Sequence, residues 1–237
     1  MTAAVAPVPR APLRLWPLEL LLFALALAFS SIVTFALVWS GDAPYRDLAR
    51  DNHVARYTFV VTAPAGGRVE TDLDGAVAIH QRWSQYVTGG IDEVPSFDPP
   101  LFTDDEYSHM ADVRRVFDLT KFFVPLALFV MIVRLQRARG RSPRDMWRLV
   151  RDGALVAVAI VGLIALGAVF AFDQLFLLFH EVFFPQGNFL FDPATSNLLR
   201  VWPEWYWEGM FLRVGLSFVA LALVVAAVAA LRLRAAK

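Results

Sequence analysis

LFTDDEYSHMADVRRVFDLTKFFVPLALFVMIV, Leu101 to Val133, runs without a break from a polar, ionisable segment into a membrane-grade apolar one. Thr103 followed three residues later by Glu106 is a capping-box pattern, which predicts a helix start here and a continuation past Phe117. The uncharged run from Phe122 to Val133 has 12 residues. That is short of the roughly 20 needed to span a bilayer, so the span must borrow Val116 to Lys121 and Arg134-Leu135. It then carries Asp118 and Lys121 near one end, spaced for a mutual ion pair. On the polar turns of the same helix, Asp105 and Glu106 each lie one turn from His109, and Asp112 follows on nearly the same face.

The rest of the chain repeats the pairing of apolar runs with segregated charge. Its 237 residues are 57% hydrophobic and 19% charged, with a mean hydropathy of +0.51, too apolar for an ordinary soluble domain. There is no cysteine, which excludes disulfides, thiolate metal sites and a cysteine nucleophile. Residues 1–14 read as a disordered cytoplasmic tail. Residues 15–39 form a first span, with Trp16 and Trp39 as interfacial anchors around 19 uncharged residues from Leu20 to Val38. That run exceeds the roughly 7–15 residues of a signal-peptide core, so it is expected to be retained.

Residues 40–116, with 13 acids and 7 arginines, form an extracytoplasmic cap. Within it Tyr57 to Thr62 has strand character, and Asp74 is placed to cap a helix reaching about Tyr86. Residues 117–135 form the second span. The segment from Arg134 to Arg151 has seven arginines against one acid, so 136–152 is a basic cytoplasmic loop by the positive-inside rule. Residues 153–183 form a third span reaching the outer interface, and 184–209 an outer aromatic loop. Residues 210–231 form the fourth span and 232–237 a cytoplasmic tail. The expected fold is an α-helical membrane protein, with four transmembrane helices, both termini cytoplasmic and a small mixed α/β cap.

Depth selects two of the four histidines. From Ala154 to His180 is about 39 Å of helix, enough to carry His180 past a hydrocarbon core of roughly 30 Å. His109 precedes Phe117 by about 12 Å of helix, which puts it in the same headgroup layer. His53 and His80 lie in the cap, where a lone histidine is usually a solvated or hydrogen-bonded group. Aromatic residues surround His180, and an interfacial aromatic belt explains tryptophans better than it explains two histidines. With no cysteine and no phosphate-binding loop, the chemistry open to paired imidazoles is general base and general acid work, and at membrane depth this suggests acyl transfer on a lipid. Glu106 and His109 have the i, i+3 spacing of a carboxylate-bridged metal motif, but His180-Glu181 is not the second copy such sites use. Ser108 adjoins His109 in sequence and so points to another side of the helix, away from a Ser–His pairing.

These residues resemble the bacterial lipoprotein intramolecular transacylases (Lit). The likeness rests on Phe102, Thr103, Glu106, His109, Met110, Asp112 and Val113, and on Phe179, His180, Glu181, Phe183 and Phe184 with Phe191-Asp192-Pro193 and Pro203-Glu204. It implies movement of the sn-2 acyl chain of a diacylglyceryl-cysteine to the α-amino group of the same cysteine, giving a lyso-form lipoprotein. His109 and His180 become the catalytic pair. Asp105, Glu106, Asp112 and Glu181 are the expected orienting carboxylates, which favours His109 as the base. Tyr107, Phe179, Phe183, Phe184, Phe191, Trp202, Trp205, Trp207 and Arg213 are the expected pocket, with Tyr107, Asn188, Trp207 and Arg213 as candidate oxyanion donors. The expected partners are diacylated bacterial lipoproteins and membrane lipid, with no nucleic acid, nucleotide, metal or other cofactor. Two other functions fit the same residues: an envelope protein that binds or escorts lipoproteins, and a lipid-ester hydrolase.

Overall fold

The computed structural model describes residues 16–62 and 64–235. The tail expected over residues 1–14 lies outside them, as do the last two residues of the tail expected over 232–237. The elements in chain order are α1 (Trp16–Trp39), α2 (Asp42–Asp51), β1 (Arg56–Val60), β2 (Arg68–Asp72), α3 (Leu73–Val87), α4 (Asp104–Arg141), α5 (Pro143–Phe183), α6 (Leu198–Val201) and α7 (Glu204–Ala235). Helices α1, α4, α5 and α7 are long and apolar enough to cross a membrane.

The four long helices pack through small side chains. Ala24 and Ala28 of α1, Ala154 and Ala157 of α5, and Ala222 and Ala226 of α7 are buried around Phe218, which lets the backbones approach closely where lipid gives no hydrophobic drive. Large apolar residues such as Phe122, Val169 and Phe170 instead point outward, as lipid-facing positions should. At one end of the bundle Glu19, 2% exposed, is held by Arg137 at 3.3 Å and Arg141 at 2.6 Å, tying α1 to α4. The basic stretch expected as a loop over 136–152 is nearly all helix. Ser142 alone turns the chain, its side chain accepting from the amide of Asp145 at 2.9 Å with Pro143 at the first helical position.

At the other end sits the cap. Strands β1 and β2 pair antiparallel, Arg56 opposite Asp72 through Val60 opposite Arg68. Phe59 and Tyr57 face a core built with Tyr45, Trp83, Tyr86, Phe102, Val201 and Tyr206. Helix α2, which sequence reading did not anticipate, docks on α7 where Gly209 leaves room: a Cβ there would lie 2.2 Å from Leu48. Asp72 rather than Asp74 caps α3, accepting from the amide of Gly75 at 3.0 Å. Asp118 and Lys121 form the expected pair at 2.8 Å, and Lys121 also donates to the carbonyl of Thr88, anchoring the end of α3 to α4.

Candidate active site

The upper turns of α4 and α5 carry the site. Thr103 and Glu106 form the reciprocal capping box, Thr103 accepting from the amide of Glu106 while Glu106 Oε2 accepts from the amide of Thr103 at 2.9 Å. This fixes where α4 starts and so where His109 lies along it. Helix α5 is not one straight rod: Ala171 has non-helical φ −150° and ψ 46°, so the last turns, which bear His180, are set at an angle to the membrane-crossing part.

His109 and His180 stand with ring centroids 6.0 Å apart and planes inclined by 20°. Phe184 lies 4.8 Å from His109 and 5.4 Å from His180, and Phe191 lies 5.5 Å from His109. Around His180 stand Phe176 at 4.3 Å, Phe189 at 5.2 Å and Phe179 at 5.5 Å. Phe183 stacks behind Phe179, and Trp207 behind Phe176. His180 Nδ1 donates to the carbonyl of Phe176 at 2.8 Å, which in the neutral ring leaves Nε2 as an unprotonated acceptor.

His109 is buried, 7% exposed, and its Nδ1 has no hydrogen-bond partner. Burial, and after it the neighbouring His180, push its pKa down to about 4, against weaker opposing effects of Asn188 and Asp112. The nearby Asn188 is held elsewhere. Its Nδ2 donates to Asp112 Oδ2 at 2.8 Å and lies 3.4 Å from Ser108 Oγ, and Gln186 Nε2 donates to the same Asp112 oxygen at 2.6 Å. Gly187, with φ +78°, makes the tight reversal between these two amides. One carboxylate on α4 thereby pins the loop that carries Phe184, Phe189 and Phe191 over the histidines.

The other expected carboxylates do not reach the imidazoles. Glu106, 1% exposed, accepts from Ser196 Oγ at 2.7 Å and the amide of Leu198 at 2.9 Å in addition to its own cap, so it joins α4 to α6. Asp105 and Glu181 are exposed. Four of the expected pocket residues also lie in or beside the cap. Tyr107 packs 5.3 Å from Trp83, Trp205 lies 6.3 Å from Tyr45, and Trp202 donates through Nε1 to His80. Arg213 donates to the carbonyl of Pro44 at 2.9 Å and lies over Trp39, holding α2 to α7. Phe176 and Phe189 are among the aromatic residues expected around His180, whereas Gln186 stands at the site and was not among the expected residues. The signal available for Gln186 was the turn chemistry of Pro185-Gln186-Gly187-Asn188.

Comparison with solved structures places this architecture among known ones. The chain is similar to the membrane-integral lipoprotein intramolecular transacylase Lit from Bacillus cereus, at 13% identity over 91% of this chain and 94% of that one, with a TM-score of 0.67. A histidine-to-arginine variant of the same Bacillus cereus protein matches at 12% identity over 94% and 96% of the two chains, with a TM-score of 0.64. No curated protein sequence matches. The family model for lipoprotein intramolecular transacylase Lit matches residues 79–207, more than half of the chain and a segment that contains both site histidines. The chain therefore belongs to the lipoprotein intramolecular transacylase Lit family.

Proposed function

We propose that this chain moves the sn-2 acyl chain of a diacylglyceryl-modified N-terminal cysteine onto the α-amino group of that same cysteine, leaving a lyso-form lipoprotein. The observation that carries the reading is the pair of imidazoles from different membrane helices, 6.0 Å apart inside an aromatic enclosure. The basic ends of the helices face the cytoplasm by the positive-inside rule, so the cap and this site lie on the extracytoplasmic side, where the lipidated cysteine and its acyl chains meet the headgroup layer.

The α-amine, whose ammonium form has an unperturbed pKa of about 7.7–8.0, attacks the ester carbonyl as the free base. His180 is the better base, because the Phe176 carbonyl holds its Nδ1–H and aims the Nε2 lone pair away from that bond. As the C–N bond forms, the proton passes from the amine to His180 Nε2. When the sn-2 C–O bond breaks, the imidazolium returns the proton to the departing glycerol oxygen, and no water is consumed. His109, kept neutral by burial, donates a hydrogen bond to the oxyanion of the tetrahedral intermediate, a role for which an imidazole of low pKa is suited. This reverses the assignment favoured by sequence, because the carboxylates that singled out His109 as base mostly face other partners.

Amine and ester belong to one molecule, so a folded-back pose replaces a second substrate, and good orientation is worth effective molarities of about 10⁵–10⁸ M. Phe184, Phe189 and Phe191 favour that pose by excluding the water that would hydrolyse the ester.

Co-expression with a diacylated lipoprotein, in a host that does not acylate α-amines, tests the reading. The precursor mass of the N-terminal lipopeptide should be unchanged, while fragmentation moves one acyl mass from glycerol to the amine. A free amine with an intact diacylglyceryl group would sink the proposal; a free amine with one acyl chain lost would make the protein a lipid-ester hydrolase.

A further inference from the structure

At the end of the bundle away from the cap, where α5 begins and α7 ends, a cleft is lined by Arg144, Arg148, Arg151, Ala230, Leu233 and Arg234. Its charge is not balanced by its surroundings. Asp145 lies 3.5 Å from Arg148 and Asp152 2.7 Å from Arg151, but Arg144 and Arg234 have no carboxylate partner among the described residues. The helix dipoles do not close the gap: the start of α5 and the end of α7 contribute roughly half a charge each, of opposite sign. Four guanidiniums against two carboxylates leave an excess of about two positive charges at the mouth.

The remaining lining is aliphatic. Leu233 is 8% exposed and forms part of the wall, and Arg234 stands at the edge of the outer face of α7, which continues from it one turn on through exposed Leu231 and then Val228. Tryptophans mark the depth: Trp147 lies 6.0 Å beneath the Arg232 guanidinium and Trp16 5.3 Å beneath that of Arg141. Indole rings collect in the headgroup layer, so the arginines stand where lipid phosphates stand and the aliphatic face where acyl chains run. A soluble anion would use the guanidiniums and leave the apolar wall unused.

We propose that this cleft binds the phosphate-bearing headgroup of an anionic phospholipid, with an acyl chain laid along the outer face of α7. The site is separate from the histidine pair, and the proposal does not depend on the transacylase reading.

Native mass spectrometry of the full chain, released from micelles containing equal phosphatidylglycerol and phosphatidylcholine, tests it. Phosphatidylglycerol should be retained on the order of tenfold more than phosphatidylcholine, given the attraction of each arginine near the surface. Replacing Arg144→Gln together with Arg234→Gln should bring retention down to the phosphatidylcholine level. Arg139→Gln, which removes an exposed charge at the same end but outside the cleft, should stay within about twofold of the parent. Arg144→Gln alone, at an exposed position in the first turn of α5, gives an intermediate loss and serves if the double variant does not fold. Equal retention of both lipids by the parent protein overturns the proposal without any variant. So does a loss in Arg139→Gln as large as in the double variant, which would mean diffuse attraction. Displacement of the lipid by millimolar inorganic phosphate would make the cleft an anion site rather than a lipid site.

Discussion

Two buried histidines, His80 in the cap and His109 at the site, have nearly the same burial and very different surroundings. His80 is 1% exposed and His109 7%, and burial pushes the pKa of both down to about 4. His80 has both nitrogens occupied: Nε2 faces the carbonyl of Ser40 at 3.1 Å, Nδ1 accepts from Trp202 Nε1 at 3.0 Å, and its ring stacks on Tyr45 at 4.3 Å. His109 has an unpartnered Nδ1 and a second imidazole beside it. A shifted pKa alone does not separate a structural histidine from a reactive one. What sets His109 apart from His80 is unused hydrogen-bonding capacity beside a second imidazole within an aromatic enclosure.

The widest contrast lies in turnover. His109→Ala and His180→Ala should each lower transacylation by about 10²–10⁴-fold or more, and His109→Ala, which strands no hydrogen-bond partner, should lower the melting temperature in detergent less than His80→Ala does. Equal loss in the folded fraction of His80→Ala would erase the distinction. For His80→Ala the expected effect is on stability instead, about 2–4 kcal/mol, since the substitution opens a cavity and strands Trp202 Nε1 and the carbonyl of Ser40.

The pH dependence follows from the sign of the shifts. Both folded-state values lie below the unfolded value near 6.5, so between about 4 and 6.5 the unfolded chain binds more protons. The neutral-ring contribution is complete above pH 6.5 and is lost as the pH falls towards 4, by up to about 3 kcal/mol for each ring. Melting temperatures should therefore drop between pH 7 and pH 5, and less steeply in His80→Ala; identical slopes would contradict a buried neutral His80.

Smaller effects sharpen the site itself. Asp112→Ala releases both Gln186 and Asn188, and should raise KM and cut kcat/KM by roughly tenfold through the loosened phenylalanine loop. Glu181→Gln, at an exposed position, should stay within about twofold, and a larger loss would reopen its role as an orienting group.

The sequence by itself determined the four spans, the capping box at Thr103 and Glu106, and the shared depth of His109 and His180. All three follow from quantities local to one helix: a fixed rise per residue, the bilayer thickness, and the short reach of a cap. Only the tertiary structure decided where the side chains found their partners. Glu106 reaches Ser196 and Leu198, which are about ninety positions away. Trp202 is drawn to His80, and Asp112 rather than its neighbours holds the loop at Gly187. Helical periodicity fixes the face on which a residue stands, but which of two carboxylates one turn from an imidazole turns towards it depends on the donors that distant segments bring.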